Sequence, residues 1–334
     1  MNWKYIRRAL LLIAIIAIAI PAYRYLSSID WAKKHTSRIV ALPKLTAEDN
    51  TGEFRMRVGE FEYLARVAGL QNDGPAVILL HGFPESSIMW DGLLERAAAA
   101  GYRVLAFDQR GYSPGARPSD KSNYKIDLLT QDVIAVADKM GFDNFHLVGH
   151  DWGAVVSWKL AMDFPKRLLS LSALSIPHIG VFFDAVVNHP EQQKRSSYFE
   201  RLQTPIVPEY KFVANDLALY KQMMGSNPKR YLDEYVSLFS EQGAATAALN
   251  WYRAMDVEKM ATDSTFKKTI DCPTLFIWGK EDGVITPSII PLQEEYINGS
   301  YKEVSLQTGH GLIQSKPDTV ISELIAHFKG DESL

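Results

Sequence analysis

The chain is 334 residues long, which suits one large α/β domain that carries an insertion. Hydrophobic residues make up 47 % and charged residues 22 %, an ordinary globular composition that argues against a disordered chain or a multi-span membrane protein. The single cysteine, Cys272, excludes an intramolecular disulfide and a cysteine-based zinc site. A formal net charge of −3 gives little support for a nucleic-acid partner.

The first segment of the chain is basic and apolar. Residues 1–44 hold eight basic residues and one acidic residue, which leaves 28 basic and 38 acidic residues, a formal charge of −10, for residues 45–334. Twelve apolar residues run without interruption over residues 9–20. Three interpretations stay open: an uncleaved single-pass membrane anchor within residues 1–26, a signal peptide that is removed on export, or a buried core helix.

Three basic residues precede the apolar run. By the positive-inside rule they predict a cytoplasmic N-terminus and a globular body on the non-cytoplasmic side of the membrane. Cleavage of a signal peptide would instead give an exported protein, periplasmic or secreted. Residues 27–50, with mixed polarity and a turn-prone Glu48-Asp49-Asn50, are predicted to be a linker.

The body that follows alternates between strand and helix patterns. Strands are predicted at residues 54–58, 61–67, 76–80, 103–107, 144–148, 168–174, 274–278 and 302–306. Helices are predicted at residues 88–100, 125–140, 153–164, 287–296 and 316–328. This alternation indicates an α/β fold with a mostly parallel central sheet and helices on both faces.

One long stretch departs from the alternation. Residues 177–266 show helical and aromatic patterns but no convincing central strand, and we interpret them as an inserted helical cap or lid. The core would then comprise residues 51–176 and 267–334. Because open parallel sheets bind ligands beyond the carboxyl ends of their strands, a cap there would close over the site and exclude water.

The most informative segment is Gly149-His150-Asp151-Trp152-Gly153, where a strand pattern passes directly into a helix pattern. Glycines two positions before and after the central residue are typical of the nucleophile elbow, a sharp strand–turn–helix junction. Its apex here is Asp151. A carboxylate nucleophile forms an ester with an alkyl carbon, which suits epoxides and alkyl halides. The plainer alternative is that Asp151 is a helix N-cap.

A loop follows the apolar strand 76–80, and in elbow-containing folds this loop supplies an oxyanion-hole amide. We assign the N–H groups of Phe83 and Trp152 to that hole, where they would stabilise the oxyanion formed when water attacks an Asp151 ester. The alternative for the loop is an ordinary turn.

Candidates for the base and its orienting acid lie later in the chain. His310 follows the last predicted strand, and Asp282 follows the strand at 274–278, with Glu281 as the rival acid. His310 would deprotonate the attacking water while Asp282 holds its imidazole. The order Asp151, Asp282, His310 matches the nucleophile–acid–base order of this type of site.

Three motifs resemble those of the α/β-hydrolase-fold epoxide hydrolases. They are His81–Glu85 (HGFPE), Asp108–Tyr112 (DQRGY) and Gly149–Gly153 (GHDWG), and the resemblance extends over residues 54–328. It implies an α/β-hydrolase fold with an inserted helical lid and a cis peptide bond before Pro84. It also implies a reaction that needs no metal and no organic cofactor.

The resemblance also supplies two general acids from the lid. In this family two lid tyrosines donate to the epoxide oxygen as the ring opens. Asn250–Arg253 resembles the segment that carries the second, Tyr252, and Tyr198–Gln203 resembles the segment of the first, Tyr198. Minor roles are assigned to Glu85, which would help to position water, and to His81.

The sequence therefore predicts an epoxide hydrolase that takes a small apolar epoxide and water to a vicinal diol through an ester on Asp151. A haloalkane dehalogenase or another Asp-nucleophile hydrolase is the first alternative, and a non-catalytic, membrane-attached binding protein is the second. Phe83 argues against one dehalogenase group, which has Asn there as a halide ligand. The pattern does not predict which epoxide is used or what oligomer forms.

Overall fold

The computed structural model describes residues 16–17 and 42–330, and an eight-stranded sheet forms the centre of the body. The strands are β1 (Gly52–Val58), β2 (Phe61–Ala68), β3 (Ala76–Leu80), β4 (Arg103–Phe107), β5 (Phe145–His150), β6 (Leu168–Leu174), β7 (Thr274–Gly279) and β8 (Tyr301–Leu306). Their order is β1-β2-β4-β3-β5-β6-β7-β8. β2 pairs antiparallel with β1 and with β4, and all other neighbours are parallel.

The central strands have continuous apolar sequences because helices cover both faces of the sheet. In β3, Val77 and Leu79 belong to one apolar cluster, whereas Ile78 and Leu80 belong to the other. This split follows from the alternation of side chains along a strand. The core helices are α1 (Asp91–Ala99), α2 (Ile126–Met140), α3 (Trp152–Asp163), α11 (Leu312–Ser315) and α12 (Pro317–Phe328). Helices α1 and α12 cover the first face, and α2 and α3 cover the second. The predicted fold class is thereby confirmed.

Two predicted helices differ in type. The helix expected at residues 88–100 begins as a 3₁₀ turn, Ser87–Trp90, and becomes α-helical at Asp91. The segment Pro287–Tyr296 is 3₁₀ throughout and contains Pro291. Because proline has no N–H to donate to the preceding turn, an internal proline disfavours the regular α-helical pattern.

The insertion between β6 and β7 contains helices but no strand in its described residues, 175–273. Its helices are α4 (Ile179–Asn188), α5 (Pro190–Arg195), α6 (Tyr198–Gln203), α7 (Val207–Met223), α8 (Lys229–Phe239), α9 (Ala244–Arg253) and α10 (Val257–Thr262). α7 consists of two helical pieces, since Ala214–Leu217 have non-helical backbone angles. We call this helical insertion the cap.

Residues just before the sheet pack along its first strand. The Leu45 N–H donates to the Arg55 carbonyl at 3.0 Å, and the Arg55 N–H donates to the Pro43 carbonyl at 2.7 Å. The predicted anchor or signal segment at 1–26 and most of the predicted linker lie outside the described residues, apart from residues 16–17. Within residues 16–17 and 42–330, none of the helices combines the length and apolar character that crossing a bilayer needs.

Candidate active site

Asp151 lies at the apex of a sharp turn between β5 and α3. Its backbone angles are φ 52° and ψ −119°, in the left-handed region that costs a non-glycine residue about 1–3 kcal/mol. The turn closes only because its flanking residues lack a Cβ. A Cβ on Gly149 would lie 2.3 Å from the Gly153 carbonyl oxygen, and one on Gly153 would lie 2.1 Å from the Leu80 carbonyl oxygen. The predicted elbow is therefore present, with a carboxylate at its apex.

Both oxygens of the Asp151 carboxylate accept hydrogen bonds. The Phe83 N–H donates to Oδ1 at 2.8 Å, and His310 Nε2 donates to Oδ2 at 3.1 Å. Burial acts to raise the pKa of Asp151, but the hydrogen bond and charge of His310, helped by the Phe83 amide, hold this pKa below its usual value. The nucleophile candidate is therefore ionised.

His310 lies between two carboxylates. Its Nδ1 donates to Asp282 Oδ2 at 2.8 Å, and the Asp282 side chain is only 1 % exposed. Burial acts to lower the pKa of His310, but the charges of Asp282 and Asp151 and their hydrogen bonds raise it to about 10. The rival acid, Glu281, instead accepts a hydrogen bond from Gln307 at 2.6 Å. The structure thus places Asp282, and not Glu281, against the imidazole.

The two predicted lid tyrosines face the nucleophile across one cavity. The ring centroids of Tyr198 and Tyr252 lie 6.2 Å apart, and the Tyr252 ring packs edge-on against Phe83 at 5.2 Å and Trp152 at 5.0 Å. Burial raises the pKa of both phenols well above 10, and the Asp151 charge adds to this effect. Both phenols therefore keep their protons. The cavity is lined by Asp151, Trp152, Val155, Ile176, Phe182, Phe183, Tyr198, Phe199, Tyr252 and Met255.

Two backbone N–H groups border the nucleophile. The Phe83 N–H already contacts Asp151, and Trp152 is the first residue of α3, so its N–H has no acceptor within the helix. The bond between Phe83 and Pro84 is cis, as the motif predicted. The two amides assigned to the oxyanion hole therefore come from the loop after β3 and from the start of α3.

Glu85 reaches the site indirectly. Gln314 Nε2 donates to its Oε1, and its Oε2 lies 3.3 Å from His150 Nδ1. His150 Nε2 in turn donates to the His310 carbonyl oxygen at 2.9 Å, where Ser175 Oγ also donates at 2.9 Å. Glu85 and His150 are thus buried side chains that contact the backbone of the candidate base, His150 directly and Glu85 through His150. No role for His150 is predicted from the sequence, although its place next to Asp151 was a signal.

His81 lies outside the cavity lining. Its Nδ1 donates to the Gly82 carbonyl at 3.0 Å, and its Nε2 accepts from the Gln109 N–H at 3.0 Å. Burial lowers the pKa of His81, which keeps the imidazole neutral, and its two hydrogen bonds define the tautomer. His81 therefore joins the loop after β3 to the DQRGY segment, and its contribution to the site is to hold Gly82 and Phe83 in place.

A second, larger cavity adjoins the first. The catalytic cavity has a volume of only about 10 Å³, room for roughly one water molecule, whereas its neighbour has a volume of about 890 Å³. We call the larger cavity the vestibule; it lies between the cap and residues 120–125. Phe199 and Met255 line both cavities, so their side chains stand between the vestibule and Asp151. Neither residue is predicted from the sequence to have this position.

Within residues 16–17 and 42–330, no three His, Cys, Asp or Glu side chains are grouped as a metal ion would need.

Comparison with known proteins agrees with this geometry. The family model of the alpha/beta hydrolase fold matches residues 75–317. Epoxide hydrolase 4 of Mus musculus is 31 % identical over 279 residues, which cover 80 % of this chain and 76 % of that protein. Epoxide hydrolase A of Mycobacterium tuberculosis is 32 % identical over 299 residues, covering 77 % of this chain and 91 % of that protein.

A solved structure gives the same result. The crystal structure of Epoxide Hydrolase A from Mycobacterium thermoresistibile superposes with a TM-score of 0.73 at 27 % identity, covering 84 % of this chain and 99 % of that one. The chain therefore belongs to the α/β-hydrolase fold family. Within that family it is an epoxide-hydrolase-like enzyme, a hydrolase of the class that acts on ether bonds.

Proposed function

We propose that this enzyme hydrolyses apolar epoxides to vicinal diols in two steps, through an alkyl ester on Asp151. The observation that carries the proposal is the convergence of an ionised carboxylate and two protonated phenols, Tyr198 and Tyr252, on one cavity. A carboxylate attacks an alkyl carbon, and a phenol can donate to the alkoxide that leaves. The lining is otherwise mainly aromatic and aliphatic, which favours an apolar substituent on the epoxide.

In the first step an Asp151 oxygen forms a bond to an epoxide carbon as the carbon–oxygen bond of the ring breaks. Tyr198 and Tyr252 donate to the ring oxygen, and one phenol transfers its proton to it. The products are the ester, a hydroxyl group and a phenolate. The imidazolium of His310 supplies the proton that restores the phenol, through water or directly.

Ester formation changes the electrostatics around His310. The raised pKa of His310 depends in part on the negative charge of Asp151, which the ester removes. The pKa of His310 must therefore fall once the ester has formed, and the neutral imidazole becomes available as a base. Asp282 keeps the imidazole oriented in both states, because its hydrogen bond to Nδ1 does not involve the reacting groups.

In the second step His310 takes a proton from water as the water oxygen attacks the carboxyl carbon of Asp151. The tetrahedral oxyanion accepts hydrogen bonds from the N–H groups of Phe83 and Trp152. Its collapse breaks the bond to the alkyl oxygen, which takes the proton held by His310 and leaves Asp151 as a carboxylic acid. That acid then passes its proton to the neutral His310. This restores the carboxylate and the imidazolium as the diol leaves.

The N-terminal segment extends the proposal to location. We infer that residues 1–26 tether the enzyme to a membrane with its body on the non-cytoplasmic side, because basic residues precede the apolar run at 9–20. An apolar epoxide partitions into lipid, so a tether would bring the active site to its substrate. Cell fractionation tests this point. A mature protein that lacks residues 1–22 and leaves the membranes in salt-free buffer would contradict it.

The chemistry is tested by single turnover. The His310→Gln variant, which keeps a polar side chain but cannot act as a base, is mixed with a panel of alkyl- and aryl-substituted epoxides. The proposal predicts a mass increase equal to one epoxide, located on the peptide that contains Asp151. If no epoxide leaves an adduct and the unmodified enzyme forms no diol, the proposal fails.

A further inference from the structure

The exposed apolar surface of the body is concentrated on one segment of the cap. Six large apolar side chains are exposed within residues 42–330, and four of them belong to residues 206–223. These four are Ile206, Val207, Leu219 and Met223, with exposed fractions of 46, 49, 54 and 52 %. Clustered exposed apolar side chains mark surfaces that contact a protein or a membrane, whereas single ones need no explanation.

The exposure of two of these side chains is fixed by the fold. Leu219 and Met223 lie four residues apart in α7 and therefore share one side of the helix. The opposite side is anchored: Leu217 and Tyr220 are buried, and Tyr220 Oη donates to the Pro84 carbonyl at 2.8 Å. Turning the apolar pair inwards would break that contact with the loop that carries Phe83.

The other two side chains follow closely in sequence on residues of the vestibule lining. Gln203 and Arg253 line that cavity, and the Arg253 guanidinium donates to the Thr204 carbonyl at 2.6 Å, two residues before Ile206. Ile206 has φ 70°, a left-handed conformation that is unfavourable for a β-branched residue. Backbone strain is thus present at a residue whose apolar side chain is exposed to solvent, three residues after the vestibule-lining Gln203.

We propose that Ile206, Val207, Leu219 and Met223 form a lipid-facing patch, inserted among the acyl chains of the membrane so that the vestibule lies close to the lipid. The inference rests on the proposed tether and hydrolysis, and it adds how the substrate arrives. A lipid bilayer is the chosen occupant because the chain outside the described body contains the apolar run at 9–20.

The geometry of the tether allows this contact. Residues 21–41 lie between the apolar run and the described body, and 21 residues span at most about 70 Å when extended, so the cap can reach the bilayer surface. The exposed Asp216 carboxylate on α7 does not oppose contact between the cap and the bilayer, because it is paired with Lys221 Nζ at 2.6 Å.

The patch is tested by site-specific fluorescence on the full chain. The single cysteine is removed by Cys272→Ser, and a nitrobenzoxadiazole label is attached at Leu219→Cys or at the control Leu292→Cys, two sites with matched exposures of 54 and 53 %. In vesicles of phosphatidylcholine and phosphatidylglycerol we expect the label at 219 to shift to the blue and to be quenched by doxyl lipids. The label at 292 should keep the emission of a water-exposed fluorophore. Equal emission from both labels in vesicle-bound protein would overturn the proposal.

A kinetic experiment separates this inference from the proposed function. The double variant Leu219→Ser and Met223→Ser is compared with Leu292→Ser on an epoxide dissolved in vesicles and on a water-soluble epoxide. We expect a several-fold loss of kcat/KM for the double variant on the lipid-dissolved substrate alone. Equal losses on both substrates, or no loss on either, would overturn the patch. If the parent enzyme opens neither epoxide, the proposed function fails. The fluorescence experiment does not depend on turnover, so it still reports whether residue 219 contacts lipid.

Discussion

His310 Nε2 lies 3.1 Å from Asp151 Oδ2, so the candidate base is in direct contact with the candidate nucleophile before any substrate is bound. In this state the imidazole is charged, because the two flanking carboxylates raise the pKa of His310 to about 10. A charged imidazole cannot accept a proton. In the proposed mechanism, the same contact that keeps Asp151 ionised therefore prevents the candidate base from accepting a proton until an ester has formed.

Removing the hydroxyl group of Tyr252 should affect ring opening and little else. Tyr252→Phe is expected to lower the rate of ester formation about 10²-fold or more, as the loss of a general acid does, because the leaving alkoxide keeps only one donor. Cleavage of an alkyl halide, whose leaving group needs no proton, should be largely preserved. Stopped-flow measurement of ester formation checks the first point and halide release checks the second.

The matched control for this prediction is Tyr231→Phe, a change of the same kind on α8 at a position outside the catalytic cavity. An epoxide rate that is equal in both variants would contradict the role of Tyr252. Tyr198→Phe should reproduce the effect of Tyr252→Phe. The double variant should lose more rate than the product of the two single losses, because each single variant keeps one phenol that can protonate the epoxide oxygen and the double variant keeps none.

The acid that orients His310 can be identified from the pH dependence of ester hydrolysis. This step needs neutral His310, so its rate should fall as the pH drops below the pKa of the imidazole in the ester state. The Asp282 charge raises that pKa; Asp282→Asn should therefore move the acidic limb to lower pH and also lower the maximum rate.

Glu281→Gln is the control for the orienting acid, since Glu281 contacts Gln307 and not the imidazole. Its pH profile for ester hydrolysis should match that of the parent. If Glu281→Gln moved the acidic limb and Asp282→Asn did not, the assignment of Asp282 would be wrong.

The ion pair also links stability to pH. The folded-state pKa of His310, about 10, lies above the ordinary value of 6.5, so its contribution to stability is complete below pH 6.5 and is lost as the pH rises through about 10. Thermal unfolding of the parent and of His310→Gln should therefore differ most near pH 6.5, and the difference in Tm should narrow towards pH 10. A constant difference over this interval would contradict the raised pKa.

Passage from the vestibule to Asp151 should depend on Met255. Met255→Ala removes a side chain that stands between the two cavities, and kcat/KM should rise for bulky epoxides relative to small ones. Phe183→Ala is a useful comparison, because Phe183 lines the catalytic cavity but not the vestibule. Both truncations should lower stability by roughly 2–5 kcal/mol, so activity is measured well below each Tm. The same substrate preference in both variants would argue against a barrier at Met255.

The parts of the site that follow from local chain geometry were predictable from the sequence. Glycines at 149 and 153 define the elbow, and the ends of β7 and β8 place Asp282 and His310 at one edge of the sheet. The contact between Glu85 and His150 joins residues 65 positions apart through side-chain direction, which no local pattern encodes.

The cap was less predictable than the core. Its helical character follows from composition, but the break in α7 falls at Asn215–Leu217, three successive left-handed residues without a glycine or proline to signal it. Likewise, Phe199 and Met255 become a barrier only when α6 and α9 pack against each other, and that packing depends on the whole cap. Aromatic residues in a cap sequence do not reveal which of them will face a cavity.

The most direct test of the account is intact-protein mass spectrometry of His310→Gln after a single addition of an apolar epoxide. The proposed mechanism predicts an adduct of one epoxide mass on Asp151 that is lost far more slowly than in the parent. An adduct that turns over as fast as in the parent, or one located on a residue other than Asp151, would contradict the two-step mechanism.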